Sequence, residues 1–142
     1  MQTFVPCISF DESAKCLDYR RLGKQRVETL QILNALTNPG YGWANHPATK
    51  MWRGHESGLC AYGLAICSEW ISRGYKDTCY NKIKNITEPD LHDLPPWWGD
   101  DRVHSSHRAN LLRKLPQHYS QYGWTESHDM PYYWPSIDLE IK

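Results

Sequence analysis

The segment from Arg20 to Leu36 constrains the fold more than any other part of this 142-residue chain. At roughly 100° per residue, its apolar residues fall on one stripe, and these are Leu22, Val27, Leu30, Leu33 and Leu36. Arg21, Lys24 and Glu28 fall together on the other side, and Asn38-Pro39-Gly40 supplies a stop signal. The pattern predicts a long amphipathic helix with a charged outer face.

The rest of the chain favours further helices joined by irregular connections. Four more helical segments are predicted, at residues 11–15, 56–73, 78–83 and 103–114. Residues 85–101 are rich in Pro and Trp and predict a long irregular connection, and residues 123–142 read as an aromatic C-terminal tail. Because neither an alternating strand pattern nor a repeat is visible, we expect an all-α fold, a compact helical bundle in one domain covering residues 1–142.

Composition narrows the environment and the partners. Sixteen Lys and Arg balance sixteen Asp and Glu, which argues against a general coat of positive charge, so any nucleic-acid site must be a local patch. Five cysteines without a C-x-x-C pair are typical of free thiols in a reducing compartment. Since no apolar run is long enough to span a bilayer, the sequence predicts a soluble cytoplasmic protein that makes no membrane contact.

Cations gather at the start of the long helix, and they are Arg20, Arg21, Lys24 and Arg26. Positive charge at a helix N-terminus opposes the macrodipole, so it costs stability until an anion binds. Arginine forks and first-turn amides would converge on a phosphate there, which favours contact with a DNA backbone. The alternative is a solvated helix face on which Lys24 and Glu28 form an exposed i,i+4 pair, worth about 0.2–0.5 kcal/mol.

Histidines supply a second candidate region. His104 and His107 stand at i,i+3, a spacing that metal sites use, but no third ligand stands at a recognised spacing, so we predict neither a metal nor a cofactor. His107-Arg108 and Arg113-Lys114 are predicted to extend the basic surface, and Arg53 and His55 to line the same cleft. The lack of a glycine-rich phosphate loop and of G-x-S-x-G argues against nucleotide-driven and nicotinamide chemistry.

Three segments also carry a family resemblance. They are Tyr19-Arg20 followed by Leu22, then Ala65-Ile66-Cys67 leading to Ser72-Arg73-Gly74-Tyr75-Lys76-Asp77-Thr78, and finally Arg113 to Pro116 with Tyr119, Tyr122 and Gly123. In order and spacing they resemble the pyrimidine-dimer DNA glycosylases, the phage-type endonuclease V enzymes, in a bacterial and actinophage branch. The resemblance implies a metal-independent all-α enzyme that acts on duplex DNA in a bacterial cell or a phage-infected host.

The resemblance also implies a reaction. A nucleotide is flipped out of the duplex, an amine attacks the deoxyribose C1′ to form a Schiff base, the base leaves, and β-elimination breaks the strand. The amine must be neutral, which favours an α-amino group with an ordinary pKa of about 7.7–8.0 over a lysine at about 10.4. A carboxylate must stand nearby to stabilise the sugar cation and move protons.

This sequence departs from the family pattern at two positions. The phage-type enzymes lose their initiator Met and use a small second residue as the amine, whereas the bulk of Gln2 should hinder removal of Met1. Those enzymes also place an acid after the Tyr-Arg pair, whereas Arg21 stands there in this chain. Glu28 is our candidate for the carboxylate because helix geometry puts it beside Lys24. The amine is then Met1, Lys24 or absent.

The sequence thus predicts a DNA glycosylase, with or without abasic-site lyase activity, that acts on a damaged or modified base. The residues expected to bind DNA are Arg20, Arg21, Arg26, Arg53, His55, His107 and Arg108. Two alternatives remain: a non-catalytic DNA-binding protein on the same scaffold, and an enzyme that processes a small nucleotide. No obligatory protein partner is evident, and the target base, the oligomeric state and a viral or cellular origin stay open.

Overall fold

Helices account for all the regular structure in residues 1–135, the part of the chain that the computed structural model describes. They are α1 (Phe10–Cys16), α2 (Tyr19–Thr37), α3 (Pro47–Lys50), α4 (Glu56–Ser72), α5 (Tyr80–Lys84), α6 (Asp101–Lys114) and α7 (Pro116–Tyr119), followed by a 3-10 helix over Ser120–Tyr122. The prediction of an all-α fold is confirmed. The single-domain boundary at 1–142 stays a prediction.

The long helix α2 begins where a side chain can cap it. The Asp18 carboxylate accepts a hydrogen bond from the Arg21 amide and so satisfies one of the free N–H groups of the first turn. The face that α2 buries is composed of Leu22, Gln25, Thr29, Ile32, Leu33 and Ala35. Val27 was predicted on the apolar stripe but is 43% exposed, because it lies about 140° round the helix from Leu22.

The charged side of α2 is closer to the core than the sequence suggests. Glu28 lies beside the buried face rather than opposite it, and its side chain is only 13% exposed, whereas that of Lys24 is 75% exposed. The polar residues Gln25 and Thr29 take the buried positions between the apolar ones. A carboxylate is therefore held at the border of the core, where other elements can reach it.

The apolar helix α4 is the centre of the fold, and α1, α2 and α5 all pack against it. Gly63 lies at the contact with α2: a Cβ atom there would come within 2.7 Å of Thr29 Cγ2. The lack of a side chain thus lets the two helices approach closely. The prediction of a buried central helix at 56–73 is confirmed by α4, which buries eight of its seventeen residues.

Irregular segments cover the outside of this helical core. In the connection between α5 and α6, Trp97 is buried and donates from Nε1 to the Met51 carbonyl at 2.8 Å. In the tail, Trp124 stacks on Tyr119 with ring centroids 5.7 Å apart, and three aromatic residues pack against the core, namely Tyr132, Tyr133 and Trp134. Residues 136–142 of the predicted tail lie outside the described residues. Within residues 1–135, no helix has the length and apolar character to cross a membrane.

Candidate active site

The first residues of the chain run through the core without helical structure. Five consecutive residues are buried, and they are Gln2, Thr3, Phe4, Val5 and Pro6. Buried backbone groups without partners would each cost about 1–3 kcal/mol. Since no neighbouring strand exists in residues 1–135, side chains from the helices provide those partners. The position of the N-terminus is thus fixed by hydrogen bonds from specific side chains.

Gln25 on α2 provides two of these bonds through one amide group. Its Oε1 atom accepts from the Phe4 amide at 2.6 Å and from the Tyr62 hydroxyl at 3.1 Å. Its Nε2 atom donates to the Gln2 carbonyl at 2.5 Å and to Glu28 Oε2 at 3.2 Å. All four bonding positions of the amide are therefore used. The same side chain orients the N-terminal segment and the carboxylate beside it.

His104 and His107 on α6 hold the segment from the other side. The Val5 amide donates to His107 Nδ1 at 3.0 Å, and His104 Nδ1 bonds to the Val5 carbonyl at 2.7 Å. His104 Nε2 accepts from the Gly99 amide at 3.1 Å, so this network assigns its proton to Nδ1 and that of His107 to Nε2. Complete burial, with smaller electrostatic effects of the neighbouring His104 and Arg108, lowers the pKa of His107 to about 3. His107 is therefore neutral at physiological pH.

A cavity of about 340 Å³ opens where the N-terminal segment meets α2. Its walls are cationic at Arg20, Arg21, Lys24 and Lys114, aromatic at Phe4 and Tyr132, and completed by Met1, Gln2, Gln25 and Glu28. The cavity thus combines an amine, a carboxylate, cations and rings. The structure brings together candidate site residues that the sequence predicted from two separate parts of the chain, and they are Met1, Arg20, Arg21, Lys24 and Glu28.

Glu28 lies within reach of the chain's start. Its Oε2 atom is 3.4 Å from the Gln2 amide nitrogen, and its Oε1 atom is 3.7 Å from Lys24 Nζ. Standard bond lengths put the Met1 nitrogen within about 4 Å of the Gln2 nitrogen, and so within about 8 Å of the carboxylate. Met1 and Glu28 therefore line the same cavity and lie close to each other.

The cations continue from this cavity into a second concavity of about 690 Å³. The two share Arg20, Arg21 and Lys114, which therefore form the ridge between them. Partial desolvation and the charges of Arg21, Arg113 and Lys24 lower the pKa of Lys114, which means that these cations repel one another in the absence of an anion. Lys114, which the sequence predicted to extend the basic surface together with Arg113, thus meets the cations of α2 from a distant part of the chain.

The match to a known family agrees with this site. A family model described as pyrimidine dimer DNA glycosylase matches residues 1–82, which is more than half of the chain. The chain belongs to the pyrimidine dimer DNA glycosylase family. Searches of curated proteins and of solved structures found no match. Membership supports DNA glycosylase activity and a DNA substrate.

The matched part of this glycosylase contains α1 to α4 together with the N-terminal segment, and so Met1, Lys24 and Glu28. Lys114, Tyr132 and the histidines of α6 lie beyond residue 82. One wall of the cavity is therefore built by the part of the chain that the family model does not match. The family match therefore carries no information about how this wall selects a damaged base.

Other residues predicted to bind DNA are placed away from this cavity. Arg26 donates to Asp77 Oδ1 at 2.6 Å and lies over the Trp70 ring at 4.4 Å. Its guanidinium therefore joins α2 to the turn before α5. Arg53 is exposed and donates to the Ala44 carbonyl at 2.8 Å, which closes the loop around α3.

His55 and Arg108 are also engaged in structural contacts. His55 Nδ1 lies 2.8 Å from Asp93 Oδ1, and the other oxygen of Asp93 accepts from the Gly58 amide at the start of α4. Arg108 is only 19% exposed: it donates to the Pro6 carbonyl at 2.9 Å and pairs with Asp101 and Glu126.

The predicted basic surface at His107 and Arg108 therefore needs correction. His107 is completely buried, because its neutral ring is needed inside the core to bond to Val5. Arg108 is turned toward the Pro6 carbonyl and neutralised by two carboxylates. In residues 1–135, no three side chains of His, Cys, Asp or Glu converge as metal ligands would.

Proposed function

We propose that this glycosylase removes a damaged base from duplex DNA and then cleaves the strand, with the α-amino group at its N-terminus as nucleophile and Glu28 as the acid–base group. The observation that supports this proposal is the cavity shared by Met1 and Glu28. Its cationic walls suit phosphates, and its rings suit an unstacked nucleotide. Each kind of group that lines the cavity therefore has a role in this reaction.

The neutral amine attacks C1′ of the damaged nucleotide, and the bond between C1′ and the base breaks. The base leaves with the electron pair of that bond and takes up a proton, while Glu28 accepts the proton that the attacking amine loses. The sugar ring opens to give a Schiff base between C1′ and the terminal nitrogen. Loss of a C2′ proton then breaks the bond between C3′ and its oxygen, and water hydrolyses the Schiff base to restore the amine.

The α-amino group suits this role better than Lys24 does. At about pH 7.5, roughly a third of an ordinary α-amino group is neutral, against roughly 0.1% of an ordinary lysine. Lys24 also extends into solvent and pairs with Glu28 at 3.7 Å. That position suits a cation that binds a phosphate and screens the carboxylate.

DNA would lie along the ridge formed by Arg20, Arg21 and Lys114. A phosphate over the ridge satisfies the cations and leaves one nucleotide on each side, in the two concavities. The flipped nucleotide would contact Phe4 and Tyr132, whose stacking on a base is worth about 1–3 kcal/mol. Because these cations would bind the DNA backbone, the affinity would fall as the salt concentration rises.

Borohydride trapping tests the nucleophile directly. Ultraviolet-irradiated duplex and abasic duplex are each incubated with the protein and sodium borohydride, and the adduct is digested with trypsin. Cleavage after Lys15 and Arg20 separates the N-terminus, in residues 1–15, from Lys24. We expect the sugar remnant on the N-terminal peptide in the wild type and in Lys24→Gln. The intact mass of the protein shows whether Met1 is retained, and therefore which residue carries the α-amino group.

Three results would contradict the proposal in different ways. An adduct on the peptide that contains Lys24 would move the nucleophile to that side chain. Base release without any adduct would support a glycosylase that lacks the lyase step. Tight binding of irradiated duplex without base release or adduct would support a non-catalytic DNA-binding protein.

A further inference from the structure

Two cysteines face each other at the end of α1. The Sγ atoms of Cys7 and Cys16 are 3.6 Å apart, which is contact distance for two thiols. Cys7 is partly exposed, whereas the other four cysteines are buried. Oxidants can therefore reach one member of the pair from solvent, and its partner is already in place.

Neighbouring side chains hold both backbones in this arrangement. The Ser13 hydroxyl accepts from the Cys7 amide at 3.1 Å and donates to the Cys7 carbonyl at 3.0 Å. The Cys16 carbonyl bonds to His118 Nε2 at 2.8 Å and accepts from the Tyr122 hydroxyl at 3.3 Å. The approach of the two thiols thus follows from contacts with three separate side chains.

The surroundings also distinguish the two sulfur atoms chemically. The hydrogen bond from the Cys16 thiol, together with the charge of Arg108, lowers the pKa of Cys7 despite the opposing effects of burial and Glu12. The same hydrogen bond and burial raise the pKa of Cys16. Cys7 is therefore the better nucleophile, and Cys16 is placed to react with whatever Cys7 becomes.

We propose that Cys7 and Cys16 form a redox-active dithiol, which hydrogen peroxide or an organic hydroperoxide converts into an intramolecular disulfide. The resulting bridge joins the N-terminal segment to the residue two positions before the Asp18 cap of α2. It closes a loop of ten residues around α1 and holds the segment that carries the terminal amine. This modification is independent of the glycosylase reaction.

The reaction balances with the peroxide as the only oxidant. The Cys7 thiolate attacks one peroxide oxygen, the O–O bond breaks, and the leaving oxygen takes the thiol proton as water or an alcohol. The sulfur of Cys16 then attacks the Cys7 sulfenic acid, and the S–O bond breaks to release water. Two thiols lose two electrons in total, and the sulfur atoms close from 3.6 Å to a bond of about 2.05 Å.

Trypsin provides a direct assay because Lys15 lies between the two cysteines. Cys7 falls in the peptide of residues 1–15 and Cys16 in the peptide of residues 16–20. The protein is treated with stoichiometric hydrogen peroxide, unfolded, alkylated with N-ethylmaleimide and digested. We expect these two peptides to be linked, with the link lost after dithiothreitol. The three remaining cysteines, Cys60, Cys67 and Cys79, should all be alkylated and serve as internal controls.

Single variants separate the roles of the two thiols. In Cys16→Ser, we expect Cys7 to accumulate as a sulfenic acid that dimedone traps. In Cys7→Ser, peroxide consumption should fall at least tenfold. Finding Cys7 unmodified, or as a sulfinic acid with Cys16 still free, would overturn the proposal, as would a disulfide that involves Cys60, Cys67 or Cys79. None of these readouts depends on DNA cleavage, so they fail or succeed separately from the proposed glycosylase function.

Discussion

The start of α2 and the middle of α6 have similar basic sequences but end in opposite environments. On α2, Arg20, Arg21 and Lys24 line an open cavity. On α6, His107 is completely buried and Arg108 is mostly so. The difference lies in what neutralises each group. The ring of His107 has no charge, and Arg108 has two carboxylate partners, whereas the guanidinium of Arg20 donates to the hydroxyl of Tyr19.

This comparison shows that basic residues alone do not mark an anion site. A cation with sufficient carboxylate partners can be buried as part of the scaffold, because its charge is already compensated. A group of cations that exceeds its carboxylates remains at the surface and is stabilised by an incoming anion. The two helices also contribute different groups: α6 bonds to the N-terminal segment through neutral histidines, while α2 presents Glu28 and the cations that we propose to bind phosphate.

Replacing the carboxylate on α2 gives the largest expected effect. Glu28→Gln keeps the shape of the side chain but removes its acid–base function, so we expect base release from irradiated duplex to slow by about 10²–10⁴-fold. Single-turnover cleavage measures the rate, and binding to the same duplex should change less than about threefold. The control is Glu12→Gln, at an exposed acid on α1. A rate within tenfold of the wild type would remove Glu28 from the mechanism.

Removing the side-chain amide of Gln25, which joins α2 to the N-terminal segment, should mainly reduce stability. Gln25→Ala leaves the Phe4 amide and the Gln2 carbonyl short of a partner, so we expect the free energy of unfolding to fall by about 2–5 kcal/mol. Urea denaturation measures this loss. Gln31→Ala, on the same helix, should cost less than about 1 kcal/mol. Equal losses in the two variants would show that the segment is held by other contacts.

His107, which is completely buried on α6, predicts a dependence of stability on pH. The unfolded chain binds a proton at His107 below about pH 6.5, but the folded chain does so only near its pKa of about 3. The contribution of His107 is therefore complete above pH 6.5 and decreases as the pH falls toward 3, by up to about 1.4 kcal/mol per pH unit. Urea denaturation at a series of pH values measures the slope.

His107→Gln tests the assignment of that slope. It keeps an acceptor for the Val5 amide but cannot take up a proton in this range, so the slope between pH 6.5 and 3 should become shallower than in the wild type. Carboxylates also titrate near the lower end of this pH range. The relevant quantity is therefore the difference in slope between the wild type and His107→Gln. His128→Gln, at an exposed position in the tail, should leave the slope unchanged. An unchanged slope in His107→Gln would mean that the ring is protonated in the folded state.

The smallest expected effect concerns Lys114 on the ridge. Lys114→Gln removes one phosphate contact, so we expect Kd for duplex to rise a few-fold and the slope of log K against log salt to become shallower by about 0.9. Fluorescence anisotropy at several salt concentrations measures both quantities. Lys82→Gln, an exposed lysine on α5, is the matched control. A change of equal size in both variants would show that Lys114 acts only through net charge.

Local patterns were sufficient to predict the five longer helices and to suggest several residues of the candidate site, but not the short helices α3 and α7. Helical periodicity located α2 and α4, and the spacing of Lys24 and Glu28 placed them on the same side of α2. The position of Val27 was wrong because a buried stripe was drawn from apolar residues alone, whereas Gln25 and Thr29 occupy that face. A buried glutamine has no signal in hydrophobic periodicity, since its burial depends on partners elsewhere in the chain.

By itself, the sequence determined an all-α chain with a basic helix start and a membership in the glycosylase family, because propensity, periodicity and short motifs act over neighbouring residues. Only the tertiary structure decided that the N-terminus reaches Glu28, that Lys114 joins the cations of α2 and that His107 belongs to the core. Each of these outcomes brings together groups that are roughly twenty to a hundred residues apart. They depend on which buried polar groups satisfy one another, and no local pattern encodes that pairing.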